Sequence, residues 1–199
     1  MLSQLRHNLD QLQVMRHGLS QHMKVFSHST RRERFQLFQL ATHVPRGGTA
    51  LEIGSHIGSS ALFLCAGLNR GGGHLFCVDT WSNETMPDGV KDTFAEFRRN
   101  TERFTAMITP VRKRSERLQP TDCGTRVDLV FIDGDHSEMA VRADLKTVGA
   151  WVPIGGRIAF HDVSDAFPGV GVVIGEALAS SHWRLEGLVD SLGWIRRVS

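Results

Sequence analysis

The stretch Ala50-Leu51-Glu52-Ile53-Gly54-Ser55-His56-Ile57-Gly58-Ser59-Ser60 decides the fold. A short apolar run, 49–53, reads as a strand. It enters a glycine turn, and small residues then open a helix over 59–69. Gly54 permits the sharp turn and lets a ligand approach the backbone. Gly58 lets the helix pack close. Ser59 and Ser60 stand at the helix N-terminus, where free N–H groups and the dipole favour an anion. The next apolar run ends in Asp79, where a carboxylate can take both hydroxyls of a ribose. Strand, glycine turn, helix, strand and terminal acid together predict an adenosine-containing ligand.

Working outward, short apolar runs alternate with helical stretches. The runs are 49–53, 74–78, 106–111, 127–132 and 157–160; the helical patterns lie at 59–69, 91–103, 137–150 and about 170–180. That alternation predicts βαβ units and a parallel sheet buried on both faces. The end differs. Segments 183–189 and 194–198 are separated only by Asp190-Ser191-Leu192-Gly193, which predicts an antiparallel hairpin. Residues 1–45 read as a helical extension, and 46–199 as the ligand-binding domain. In the extension Leu2, Leu5, Leu9, Leu12, Met15, Leu19, Met23 and Phe26 recur at helical steps, with Gly18 interrupting them. Thr30-Arg31-Arg32-Glu33 is a capping box opening a second helix through about His43.

Composition narrows the classes. The 199 residues fit one domain with a short extension. No apolar run approaches a membrane span, and no secretory leader is visible. Cys65, Cys77 and Cys123 are isolated, which favours neither disulfides nor a cysteine metal site and fits the cytoplasm. A net charge of +2 is too small to argue for nucleic acid. Ten histidines against no tyrosine point acid–base chemistry toward His or carboxylates.

A dinucleotide fingerprint would place a second glycine at His56, whose side chain crowds a pyrophosphate, and no residues remain for a dehydrogenase's second domain. Instead Glu52-x-Gly54-x-x-x-Gly58-x-Ser60, followed by Val78-Asp79, resembles motifs I and II of class I S-adenosylmethionine-dependent methyltransferases. The resemblance implies a Rossmann-like α/β fold: a mostly parallel seven-stranded sheet with a C-terminal antiparallel hairpin. It implies Glu52 near the methionine amino group, Ser60 near its carboxylate, Asp79 on the ribose and Ser115 beside the adenine. Gly54, Ser55, His56, Gly58 and Asp133 complete the expected cofactor set.

In open α/β sheets, ligands sit outside the carboxyl ends of the strands. Two polar clusters fall there, Asp133-Gly134-Asp135-His136 and His161-Asp162. Asp133 and Asp162 are candidate oxygen ligands for one divalent cation. His136 is the candidate base, its ordinary pKa of about 6.5 lying close to working pH. Asp135 reads as a helix cap. The clusters resemble those of metal-dependent O-methyltransferases acting on catechols and, more closely, on macrolide sugars. In the macrolide type a histidine ends the Asp-x-x-His unit. The third ligand departs from both patterns. His161 either supplies a nitrogen, shifting the preference from Mg²⁺ toward Mn²⁺, or binds no metal.

The expected reaction is therefore methyl transfer to a hydroxyl of a small molecule, a sugar-bearing or phenolic natural product. No Asn/Asp-Pro-Pro-aromatic tetrapeptide follows strand 4, which disfavours base methylation of nucleic acid. The alternatives are a non-catalytic S-adenosylmethionine-binding subunit, or a hydroxylase or other activity on the same scaffold. Specificity is expected from the loop 80–90, from the loop 165–171, or from the extension, which covers the site or pairs two copies into a dimer. In loop 80–90, Trp81 reads equally as a wall of the ligand pocket or as a loop anchor.

Overall fold

The computed structural model describes residues 12–83 and 89–199. Seven strands form one sheet: β1 (Thr49–Ile53), β2 (His74–Asp79), β3 (Ile108–Arg112), β4 (Leu129–Ile132), β5 (Arg157–Phe160), β6 (Trp183–Val189) and β7 (Leu192–Arg197). Their order is β3-β2-β1-β4-β5-β7-β6. The first five pair in parallel, and β7 runs antiparallel to both β5 and β6. This is the seven-stranded Rossmann-like sheet with its closing hairpin.

Among the described residues, five helices of eight or more residues cover the sheet: α1 (Arg31–Thr42), α2 (Ser59–Leu68), α3 (Phe94–Thr101), α4 (Glu138–Gly149) and α5 (Pro168–Ala179). Two apolar clusters fill the layers. One gathers Phe38, Leu64 and Phe97 against Ala50, Leu75, Leu129, Phe131 and Ala159 of the sheet. The other gathers Val141, Val148 and Val173 against Leu51, Ile53, Val78, Val130, Ile132 and Phe160. Neighbouring residues of one strand therefore alternate between layers. Continuing that alternation puts Glu52, Asp79, Asp133 and His161 on the side of α1, α2 and α3. The sheet's pleat, more than any loop, gathers these polar groups.

The N-terminal reading needs correction. The Thr30 capping box forms as expected: the Thr30 side chain accepts from the Glu33 N–H, and the Glu33 carboxylate accepts from the Thr30 N–H. The upstream periodicity, however, does not make one continuous helix. A helical segment ends at residue 16, and Gly18 turns the chain at φ +70°, a left-handed stop that glycine tolerates best. Only a 3₁₀ turn, His22–Lys24, follows before α1. The expected apolar stripe also fails at Leu12 and Met15, which are 61% and 60% exposed while Val14 is buried. Leu2, Leu5 and Leu9 lie outside the described residues, as does 84–88 of the loop 80–90. Among the described residues no helix is long and apolar enough to cross a membrane.

Candidate active site

Gly54 and Gly58 both stand at φ +88°, where a side chain is strained. A Cβ at Gly54 would lie 2.0 Å from the Asp133 carbonyl oxygen, so the β1 and β4 turns touch through that glycine. Gly58 caps α2 with no side-chain hydrogen bond, leaving the first amides of that helix open to an anion. Asp79 braces the turn from the side. Its carboxylate accepts from the amides of His56 (2.8 Å) and Trp81 (2.6 Å). Trp81 closes the ring by donating its indole N–H to the His56 carbonyl at 2.9 Å. The indole is fully buried against Phe94 and Phe97, so Trp81 is the anchor of its loop and not a wall of the ligand pocket.

Glu52 has no exposed surface, and neither carboxylate oxygen completes a normal hydrogen bond. Burial raises its pKa to about 7; the nearby Ser55, Ser60 and Cys77 groups offset only part of that. A carboxylate in this condition calls for a cation or a strong donor. An amino group beside it, a carboxylate at the open α2 terminus and a ribose at Asp79 fit the donor and acceptor set of an amino-acid nucleoside. Ser115 lies one strand further on and faces Asp144 of α4, a buried acid whose pKa burial lifts to about 6.

The second half of the site lies across Gly54. Asp133, His136 and Asp162 each offer a ligand atom, and these atoms all lie within 4.8 Å of one another. His136 Nε2 is 3.1 Å from Asp162 Oδ2, and Phe167 packs against the outer side of the His136 ring. Asp162 sits at φ +58°, a left-handed conformation that Asp tolerates, which bends the chain just past β5. The two half-exposed carboxylates offer hard oxygen ligands that fit a divalent cation, with the imidazole beside them. Ser137, and not Asp135, caps α4 by accepting from the Ala140 amide; Asp135 accepts from the Ser137 amide one step ahead of the helix, because the two-residue spacing suits a turn.

His161 stands outside this three-residue set. Its Nδ1 is 3.2 Å from Asp133 Oδ1 and 3.4 Å from Asp162 Oδ2, while Nε2 is 3.4 Å from Glu33 Oε2. Burial alone would lower its pKa, but the three carboxylates outweigh burial and push it up to about 12. In this arrangement His161 donates to the carboxylates on both sides. The His161 nitrogens, one of them expected as a metal ligand, lie 3.2 to 3.4 Å from these carboxylate oxygens. Hydrogen bonding to His161 is also the main cause that lowers the pKa of Asp162.

A protein-family model described as Methyltransferase domain matches residues 51–163. The chain belongs to this family of methyltransferases. Among solved structures, the O-methyltransferase NovP superposes with a TM-score of 0.71 at 15% identity, covering 87% of this chain and 84% of that one. The O-methyltransferase from Bacillus cereus, in complex with SAH, gives 0.65 at 17% identity, covering 87% and 83%. CalS11, a TDP-rhamnose 3'-O-methyltransferase in calicheamicin biosynthesis, gives 0.63 at 16% identity, covering 83% and 77%. At these identities the structures share the fold. The class I resemblance read from Glu52 to Asp79 thus holds: this methyltransferase uses S-adenosylmethionine.

The methyltransferase gathers Glu52, Ser55, His56, Gly58, Ser60 and Asp79 around Gly54, which abuts the turn that carries Asp133, and sets His136 and Asp162 beside Asp133. Sequence reasoning missed the second role of Glu33. The capping box identified the residue, but a capping-box glutamate normally stays at the surface. No local signal places it against His161, whose partner strand is more than a hundred residues away. Asp144 was missed as well, because it sits within an amphipathic helix as an ordinary acid.

Proposed function

We propose that this methyltransferase methylates a hydroxyl of a small molecule, a sugar-bearing or phenolic natural product, with His136 accepting the hydroxyl proton. The observation that carries this reading is the His136–Asp162 contact of 3.1 Å, inside a donor cluster one glycine away from the cofactor cradle. Asp162 orients the imidazole and stabilises the charge it gains, the arrangement a general base needs. Glu52 would hold the cofactor's amino group, the α2 terminus with Ser60 its carboxylate, and Asp79 its ribose. That fixes the sulfonium on the Asp133 side of the turn. Alignment of acceptor and methyl then supplies much of the rate, since well-oriented reactants gain about 7–11 kcal/mol.

Asp133 and Asp162, with His136 adjacent, would hold a divalent cation, Mg²⁺ or Mn²⁺. When bound, such an ion lowers the pKa of an acceptor hydroxyl. The O-methyltransferase names of NovP and CalS11, the latter acting on a TDP-rhamnose, support hydroxyl and sugar chemistry. The half-exposed cluster supports an acceptor that reaches the site from solvent. A second copy pairing through the segment ahead of α1 is part of this reading, and the exposed Leu12 and Met15 support it. Light scattering at micromolar protein would read that pairing as a doubled mass.

The test is methyl transfer to a panel of phenols and nucleotide sugars, with and without EDTA. His136→Ala should lower kcat about 100-fold or more while leaving the Kd for S-adenosylhomocysteine unchanged. Full activity of His136→Ala on an accepted substrate would refute the base assignment. Undiminished activity in EDTA would refute the metal.

A further inference from the structure

We propose that Glu33, carried on α1 outside the sheet, is a positioning residue for the Asp133–Asp162 pair and acts on it through His161. The inference rests on the reading of that pair as the seat of a divalent cation. Glu33 is 1% exposed, although a capping box requires only that its carboxylate meet the Thr30 amide, which it does at 2.6 Å. The other oxygen accepts twice from Ser191 in the turn between β6 and β7, from the amide at 2.8 Å and from the hydroxyl at 2.7 Å. The oxygen that serves Thr30 also faces His161 Nε2 at 3.4 Å. Three separate parts of the chain (α1, the end of β5 and the hairpin turn) therefore converge on one buried carboxylate.

The consequence falls on the far side of the imidazole. With Nε2 held by Glu33, the ring presents Nδ1 between Asp133 and Asp162. Two neighbouring carboxylates repel each other, and a donor between them fixes their spacing and direction. Rotating the ring would break its contacts on both sides at once. Phe131 packs against the ring edge and completes its seat. Groups that orient metal ligands from behind typically change metal affinity 10- to 100-fold when altered. A glutamine at position 33 keeps an oxygen for Ser191 but turns an NH₂ group toward the Thr30 amide and the His161 N–H.

The experiment titrates Mn²⁺ into the full chain saturated with S-adenosylhomocysteine, reading free Mn²⁺ by electron paramagnetic resonance. Glu33→Gln should weaken Mn²⁺ binding at least about tenfold, while the Kd for S-adenosylhomocysteine stays within about twofold. In a His161→Asn background, adding Glu33→Gln should cost less than about threefold more, because the route through His161 is already cut. Ser191→Ala should lower Tm and leave Mn²⁺ affinity unchanged, which separates loosening of α1 from loss of positioning. If Glu33→Gln does not fold, Glu33→Asp keeps the charge but draws it back from His161, and it should show the same weakening. Unchanged Mn²⁺ affinity in the folded Glu33 variant, or losses that multiply in the double variant, would overturn the inference alone. A wild-type protein that binds no Mn²⁺ would overturn the metal reading and this inference with it.

Discussion

Glu52→Gln is expected to remove a loss of stability that the wild-type protein suffers as pH rises. The folded-state pKa of Glu52 is about 7, against an ordinary value of 4.5. Below pH 4.5 both folded and unfolded chains hold the proton, and the residue makes no difference. Between pH 4.5 and about 7 the unfolded chain releases its proton while the folded chain keeps it, so unfolding becomes progressively easier. At about 1.4 kcal/mol per pH unit, the gap corresponds to about 3 kcal/mol by neutral pH. Full burial means solvent screens little of this. Glutamine is neutral throughout, so the stability of Glu52→Gln relative to wild type should climb by about 3 kcal/mol across that window and then level off. Urea unfolding of both proteins at a series of pH values measures this directly, since other titrating groups cancel in the difference. The ammonium of S-adenosylhomocysteine should restore the missing charge partner. Wild-type affinity for it should therefore rise with pH up to about 7, with proton release on binding, and the affinity of Glu52→Gln should stay flat. Parallel stability curves for the two proteins would refute the reasoning, because Glu52 would then titrate as it does in the unfolded chain.

Two further outcomes follow from the geometry. Trp81→Phe keeps an aromatic ring against Phe94 and Phe97 but leaves the His56 carbonyl without its indole donor. Stability should drop by about 1–2 kcal/mol, and S-adenosylhomocysteine should bind several-fold more weakly by calorimetry. His22 is buried between Phe63 and Phe104, and burial, then the charge of Arg103, hold its pKa at about 4. As pH falls from 6.5 toward 4 the unfolded chain protonates first, so wild-type stability should fall by about 3 kcal/mol, and His22→Leu should abolish that acid-side loss in pH-resolved thermal melts.

The sheet was legible because its physics is local. A strand buried on both faces must be a short apolar run, and each of β1, β2, β4 and β5 is one. The cofactor half of the site was legible for a similar reason: Gly54 and Gly58 are demanded by the backbone itself, and Asp79 ends its strand. What escaped was decided by contacts distant in sequence. The stripe of Leu12 and Met15 has helical spacing whether or not anything covers it, and among the described residues the chain turns away at Gly18. The burial of Trp81 depends on α3 arriving above it. Glu33 and His161 meet only because the pleat sends residue 161 to the side on which α1 packs. Strand parity was available in the sequence for Glu52, Asp79, Asp133 and His161. Which helix would cover that face was not.

The contact between Gly54 and the Asp133 carbonyl carries a consequence for how the protein matures. Ala50 pairs with Leu75 on one edge of β1 and with Leu129, much further along the chain, on the other, so closing β1 against β4 carries the larger loop-closure cost. The turn around Gly54 and the cluster around Asp133 are joined by that one pairing at the centre of the sheet. On refolding, competence to bind S-adenosylhomocysteine should appear in the slowest phase, after most helical signal has returned. Ligand present during synthesis or refolding would then select chains whose central pairing is correct.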